Sequence, residues 1–356
     1  MALSNYSTDF SGLLDKQQID ALSVLYTVLL SFSVTGSCSV LLVSAVRWRY
    51  LRGQVQLLVQ LALADLLAAV VLLYTSVMNK VYPYSSVTAC PYLLPLSLTF
   101  YLISFLLVVV YAWKSKNAIQ GWRERAADDD EHCQCDRNII EIPVYAFVWL
   151  VPFAFYFTYV CTLLIKLAAL VPTNDVSQDG LIEDGSSYCN SCILFLHLWQ
   201  DPCADADAQH NTFIRVFLVI TAVTVMLSCS VIYCKVRKWY ERYMHDGLFP
   251  VEGDGHSRRQ LKTVFSTARN IVLVIVFCWL PALLLLLMSL TIRKSVKQSS
   301  LYGLYVIQAA TISLQGFLNS MVYAWRRPNF TNAVLGENTP LLRYNRRAFF
   351  EESLRR

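Results

Sequence analysis

Asp65 lies in Leu61-Ala62-Leu63-Ala64-Asp65-Leu66, well inside a run of apolar residues, and that placement makes it a candidate site. An ionised carboxylate in hydrocarbon costs at least a few kcal/mol unless it faces protein or water. It therefore serves either as a cation or proton site or as a buried group that holds helices together through hydrogen bonds. Two more constellations lie late in the chain. Cys278-Trp279-Leu280-Pro281 sets an indole beside a proline that must deprive a backbone carbonyl of its helical donor and kink the helix. Asn319-Ser320-Met321-Val322-Tyr323 sets an amide and a phenol on one helix face. Tyr74, Tyr101 and Trp199 are candidates to line an outer pocket with Trp279, or to act as interfacial anchors.

Other chemistries fail on inventory. His132, His197, His210, His245 and His256 all fall outside the apolar segments, so a membrane-buried zinc site lacks its imidazoles. His132-Cys133-Gln134-Cys135 has poor spacing for zinc and adjoins the acidic run Asp128–Glu131, which reads as a solvated loop, so no metal is assigned. The last apolar segment contains no lysine to carry a retinal Schiff base. We expect no enzymatic activity and no cofactor beyond a sodium ion considered at Asp65.

These residues must be positioned by membrane helices. The chain of 356 residues is 56% hydrophobic and 15% charged, with a mean hydropathy of +0.44. A spanning helix needs about 20 largely apolar residues, because it must satisfy its own backbone amides in lipid. Seven segments qualify: Ala21–Val46, Val55–Met78, Pro91–Trp113, Ile142–Ile165, Phe213–Cys234, Asn270–Ile292 and Leu301–Trp325. The polar leader Met1–Asp20 argues against a cleaved signal peptide. We therefore expect an extracellular N-terminus (1–20), a bundle (21–325) with long connections at 166–212 and 235–269, and a cytoplasmic tail (326–356).

Charge fixes the orientation. Lys and Arg accumulate in cytoplasmic connections. One alternate set of connections, with the tail, holds 23 of the 30, the other set holds 6, and Arg215 sits near the outer end of the fifth segment. The N-terminus is thus expected outside. The net charge of +5 suits an anionic inner leaflet, and no soluble basic face is available for nucleic acid. Cys90, at the outer end of the third segment, and Cys189, Cys192 and Cys203 in the long outer connection fall on the oxidising side. Asn5-Tyr6-Ser7 is a glycosylation acceptor on that side.

Taken together and in order, these motifs resemble those of a seven-helix G-protein-coupled receptor. Asp65 resembles the rhodopsin-type sodium-site motif, and Ser104, 14 residues after Cys90, falls where sodium-binding receptors place a serine. Cys278 to Pro281 resembles the sixth-helix toggle motif. Asn319 to Tyr323 resembles the seventh-helix motif, with Ser320 where proline is usual. Phe330 falls where a short amphipathic eighth helix begins, whereas Gln315-Gly316-Phe317-Leu318-Asn319 is more similar to secretin, adhesion and cyclic-AMP receptors. The mosaic implies an outlying orphan branch.

The resemblance implies several roles. Cys90 is expected to bridge to one of Cys189, Cys192 or Cys203. Asp65, Ser104 and Asn319 form a water-filled cation pocket beneath Trp279, with Trp279 and Pro281 as switch and hinge and Tyr323 as latch. An extracellular ligand would signal to a heterotrimeric G protein or arrestin from the plasma membrane. Two departures bear on this: Lys114-Ser115-Lys116 stands in place of the acidic-Arg-Tyr triplet, and Ser97 is uncharged where amine receptors bind their ligand. Glu337-Asn338-Thr339-Pro340-Leu341-Leu342 resembles an acidic dileucine signal for clathrin adaptors, which implies endosomal traffic. The alternative reading is a seven-helix transporter or organelle membrane factor with Asp65 as the proton or cation relay.

Overall fold

The computed structural model describes residues 12–46, 56–81, 83–125, 134–164, 188, 191–198, parts of 216–238, 255–291 and 296–322. These residues are all-helical apart from turns and short irregular stretches, and they include six helices long and apolar enough to cross a membrane. The six coincide with all the expected segments except the fifth. That segment is represented by a shorter apolar helical stretch, Leu218–Ser228. The expected eighth helix and tail lie outside the described residues. With apolar side chains such as Val28, Leu150, Phe157, Leu227 and Phe277 exposed along these helices, the chain is a multi-pass membrane protein in contact with lipid.

Several helices outrun their hydropathy. The first, Lys16–Val46, opens about a turn before Ala21, so the end of the expected leader is helical. Its start is a reciprocal cap: Gln18 N donates to Asp15 Oδ1 at 2.7 Å and Asp15 N to Gln18 Oε1 at 3.2 Å. The third helix, Pro83–Arg125, runs through Pro91 and Pro95 and continues past Trp113. At 1.5 Å per residue it is about 65 Å long, well beyond the bilayer core. The sixth, Gly255–Thr291, likewise begins inside the connection expected at 235–269 and is continuous through Pro281.

The seventh segment is not one helix. A 3-10 turn, Gln298–Leu301, leads into Tyr302–Ser313; the chain turns at Leu314 and resumes as Gln315–Ser320. Both pieces pack on the first helix. Gly316 makes this approach close, because a Cβ there would lie 3.1 Å from Ser37 Oγ and 3.3 Å from Ser33. Gly36 opposes it, with Phe317 Cα 3.3 Å from its own missing Cβ. Lipid gives helices no hydrophobic reason to associate, so small residues that let backbones meet supply the packing energy. Hydroxyls on the same helix satisfy themselves: Thr27, Ser31 and Thr35 each donate to the carbonyl four residues back.

One end of the bundle is closed by the chain itself. Cys192, Ile193, Leu194, Phe195 and Leu196 are all buried and belong to the same hydrophobic core as the helices. Cys192 N donates to Asn79 Oδ1 at 3.0 Å, and the Asn79 amide donates onward to Ser23 Oγ at 2.8 Å. Gln298, at the start of the seventh segment, donates to Leu196 O and to Tyr305 Oη and accepts from Tyr188 Oη. Phe195 adopts φ 67°, a left-handed backbone that an L-residue holds only where its surroundings over-determine it.

Cys90 and Cys192 form a disulfide, with Cα atoms 5.7 Å apart, tying this plug to the top of the third helix. Cys189 and Cys203 lie outside the described residues, as does the Asn5 acceptor. The bridge closes a span of 102 residues, for which chain entropy gives an upper figure of about 4–5 kcal/mol. Cys192→Ser should therefore lower the thermal midpoint and raise proteolysis of the loop that carries it in the folded protein. Non-reducing peptide mapping that recovered Cys90 as a free thiol would contradict this.

Candidate functional site

Asp65 sits in the second helix, Gln56–Val81, and is only 2% exposed. Its carboxylate draws partners from two other helices. Ser104 Oγ of the third helix donates to Oδ1 at 2.7 Å, and Asn319 Nδ2 of the seventh donates to Oδ2 at 2.8 Å. Gln315 Nε2 reaches Oδ1 at 3.3 Å and Ser104 Oγ at the same distance. Gln315 and Asn319 are four residues apart and so share one helix face. Asn319 Oδ1 is buried without a partner among the described residues.

Gln315 extends the cluster to the sixth helix, because Trp279 Nε1 donates to its Oε1 at 2.6 Å. The indole is buried and held edge-on by Tyr101 and Phe105 of the third helix, at centroid distances of 5.4 and 4.9 Å. Pro281 cannot donate to the carbonyl of Phe277, and the opening of that turn bears on the next carbonyl as well. Cys278 O accepts a hydrogen bond from Thr311 Oγ1 at 3.0 Å. The sixth and seventh helices are thus linked by polar bonds at the proline turn and at the tryptophan.

The structure brings Asp65, Ser104, Asn319 and Trp279 into one connected cluster, with Pro281 on the same helix as the tryptophan. Tyr323, Glu337, Leu341, Leu342 and Trp199 lie outside the described residues. Tyr101 belongs to the cluster, whereas Tyr74 is 52% exposed. Ser97 is fully buried and donates to Leu94 O.

Gln315 is the site residue that motif reading did not single out, and the signal for it was present. An amide in a spanning segment is rare because it must be paired, and this one is a single turn from Asn319. Among the described residues there is no cluster of three or more His, Cys, Asp or Glu side chains suited to a metal ion. The oxygens of Asp65, Ser104 and Asn319 suit a hard monovalent cation; the Gln315 amide nitrogen lies against the same carboxylate oxygen and would have to swing aside to admit one.

Fold and site define the class: a polytopic helical membrane protein whose one described mid-span carboxylate joins several helices. The chain belongs to the Transmembrane protein 116 family, whose family model matches residues 19–351.

Gln315→Leu keeps the bulk of the side chain but removes its donor and acceptor, leaving Trp279 Nε1 and one Asp65 oxygen short of a partner. The expected cost is about 1–3 kcal/mol, seen as a lower thermal midpoint in detergent. An unchanged midpoint would mean that the amide contributes nothing net.

Proposed function

We propose that the protein is a receptor-like, non-enzymatic signal transducer with seven spans, an extracellular N-terminus, and a cytoplasmic tail that begins with a short eighth helix. The observation that carries this reading is the continuous bond path from Trp279 through Gln315 to Asp65, Ser104 and Asn319, which joins four helices at one level. A ligand or partner that shifts the sixth helix must break or carry this path, and that is the requirement for a two-state bundle. Trp279 is the switch, Pro281 the hinge and Tyr323 the inner latch. The partner is a heterotrimeric G protein or an arrestin, engaged without the usual triplet because Lys114-Ser115-Lys116 stands there.

The buried segment 191–198 bears on what the ligand is. It fills the outer end with the chain's own residues and is anchored by a disulfide and by Asn79 and Gln298. That favours a receptor that signals without a small diffusible ligand, or one whose ligand displaces the loop. The protein acts at the plasma membrane and, through Leu341 and Leu342, passes to endosomes on a clathrin adaptor.

The second reading is a transporter in which Asp65 relays a proton or cation, and it is favoured by the carboxylate's depth and by the unpartnered Asn319 Oδ1. Sodium would be held by Asp65, Ser104 and Asn319 and would supply charge balance at the carboxylate.

Asp65→Asn separates the two. A receptor should lose or fix transducer recruitment in a reporter assay while vesicles loaded with a pH-sensitive dye stay silent; a transporter should show flux that this substitution abolishes. In parallel, sodium at constant ionic strength with potassium should raise the thermal midpoint of the wild type and leave Asp65→Asn unmoved. Equal shifts in both proteins would remove the cation from the proposal.

A further inference from the structure

The seventh segment turns at Leu314 with neither a proline nor a glycine at that position. The cause lies on the first helix. Ser33 Oγ donates to the carbonyl of Ser313, and the same oxygen accepts from the amide of Phe317 at 3.2 Å. Ser313 and Phe317 are four residues apart, the acceptor and donor that an uninterrupted α-helix would join to each other. The hydroxyl therefore sits at both ends of a single ladder bond, an insertion of the kind that bends or breaks helices. It is 1% exposed and comes in from a face where Gly316 and Gly36 admit the two backbones closely.

We propose that Ser33 is a positioning residue for the polar centre: its hydroxyl holds the seventh helix open between Ser313 and Phe317, and so sets the reach of Gln315 to Trp279 and Asp65. Gln315 lies inside the opened turn, and its two ends contact different helices. Closing the turn would rotate it relative to both partners. The family resemblance puts a flexing proline further along, where this chain has Ser320; Ser320 Oγ instead donates back to Gly316 O at 2.8 Å, and Ser320 ends the helix Gln315–Ser320, after which Met321 and Val322 are π-helical. A side chain from another helix provides the break here. The inference concerns helix geometry and stands whether the protein is a receptor or a transporter.

A thermodynamic cycle on the purified full chain tests it. Ser33→Ala and Gln315→Leu are measured singly and together by thermal unfolding in detergent. If Ser33 positions Gln315, the drop in midpoint caused by Gln315→Leu should shrink to under about half in the Ser33→Ala background, since contacting networks are non-additive. Ser37→Ala is the control. Its hydroxyl is buried on the same face, 3.1 Å from where a Gly316 Cβ would stand, and has no partner among the described residues. It should combine additively with Gln315→Leu. Ser33→Thr keeps the hydroxyl and should preserve the full effect of Gln315→Leu. Should Ser33→Ala fail to fold, Ser33→Cys, with its weak donor, carries the same cycle. Additive losses for Ser33, or equal coupling for Ser37, would overturn the proposal and leave Ser33 as a packing residue only.

Discussion

A carboxylate in the middle of a bilayer has no solvent to turn to, and that constraint organises the bundle. Asp65 needs donors, its own helix has none to spare, and neighbouring helices must bring them. The second helix must therefore face the third and the seventh at this level. Its rotation is fixed, because a shift of one residue turns the side chain by about 100° and would expose it to lipid. The register of the third helix is fixed by Ser104, and that of the seventh by two amides on one face. Removing the carboxylate would relax all three at once, whereas no single apolar contact constrains more than a pair.

The same need to satisfy polar atoms explains features far from Asp65. The first helix carries serines at 33 and 37 on the face that meets the seventh, and small residues at 36 and 316 shorten the distance between backbones. Close approach is what lets a short hydroxyl reach a main-chain carbonyl and amide on another helix. At the end of the bundle closed by 191–198, Gln298 uses its amide in the same way, donating to a loop carbonyl and to the Tyr305 phenol. Among the described residues, each buried glutamine, Gln298, Gln308 and Gln315, bridges separate elements. In a soluble core these positions would be apolar, but lipid adds no hydrophobic drive between helices, and hydrogen bonds carry more of the specificity.

Hydropathy made six of the expected crossings legible, since span length is a physical requirement of the bilayer. Helix ends were less legible. The Asp15 and Gln18 cap lies in a polar stretch, and the extensions of the third helix past Trp113 and of the sixth before Asn270 are too polar for a hydropathy window to include. Asp65 stood out as an acid in an apolar run. Gln315 did not, because it entered only as the first residue of a family-like run and not as a polar group needing a partner, although its spacing from Asn319 carried the information. The turn at Leu314 was not readable locally at all. Its cause is a serine 280 residues away in sequence, and no window on the seventh segment contains it. For Tyr74, residue type left an outer pocket and an interfacial anchor both open, and its exposure is set by the rotation of its helix, which residue type does not give.

An amide at the junction between Trp279 and Asp65 has a consequence that a bridging water would not. Indole N–H can only donate and an ionised carboxylate can only accept, so Gln315 must present Oε1 to the first and Nε2 to the second. Reversing the amide would set donor against donor and acceptor against acceptor. Its orientation is thus dictated by its two neighbours, and the direction of donation runs one way, from the sixth helix through the seventh to the second. A water could rotate and keep one partner when the other moves away. The glutamine is tethered to the seventh helix, so a shift of Trp279 either drags that helix or breaks a buried bond. With a net value of about 1 kcal/mol per neutral bond and somewhat more to a charged group, the link falls in the range of about 1–3 kcal/mol typical of coupling between sites. That is large enough to bias which packing of the helices prevails and small enough to be overcome by a binding event.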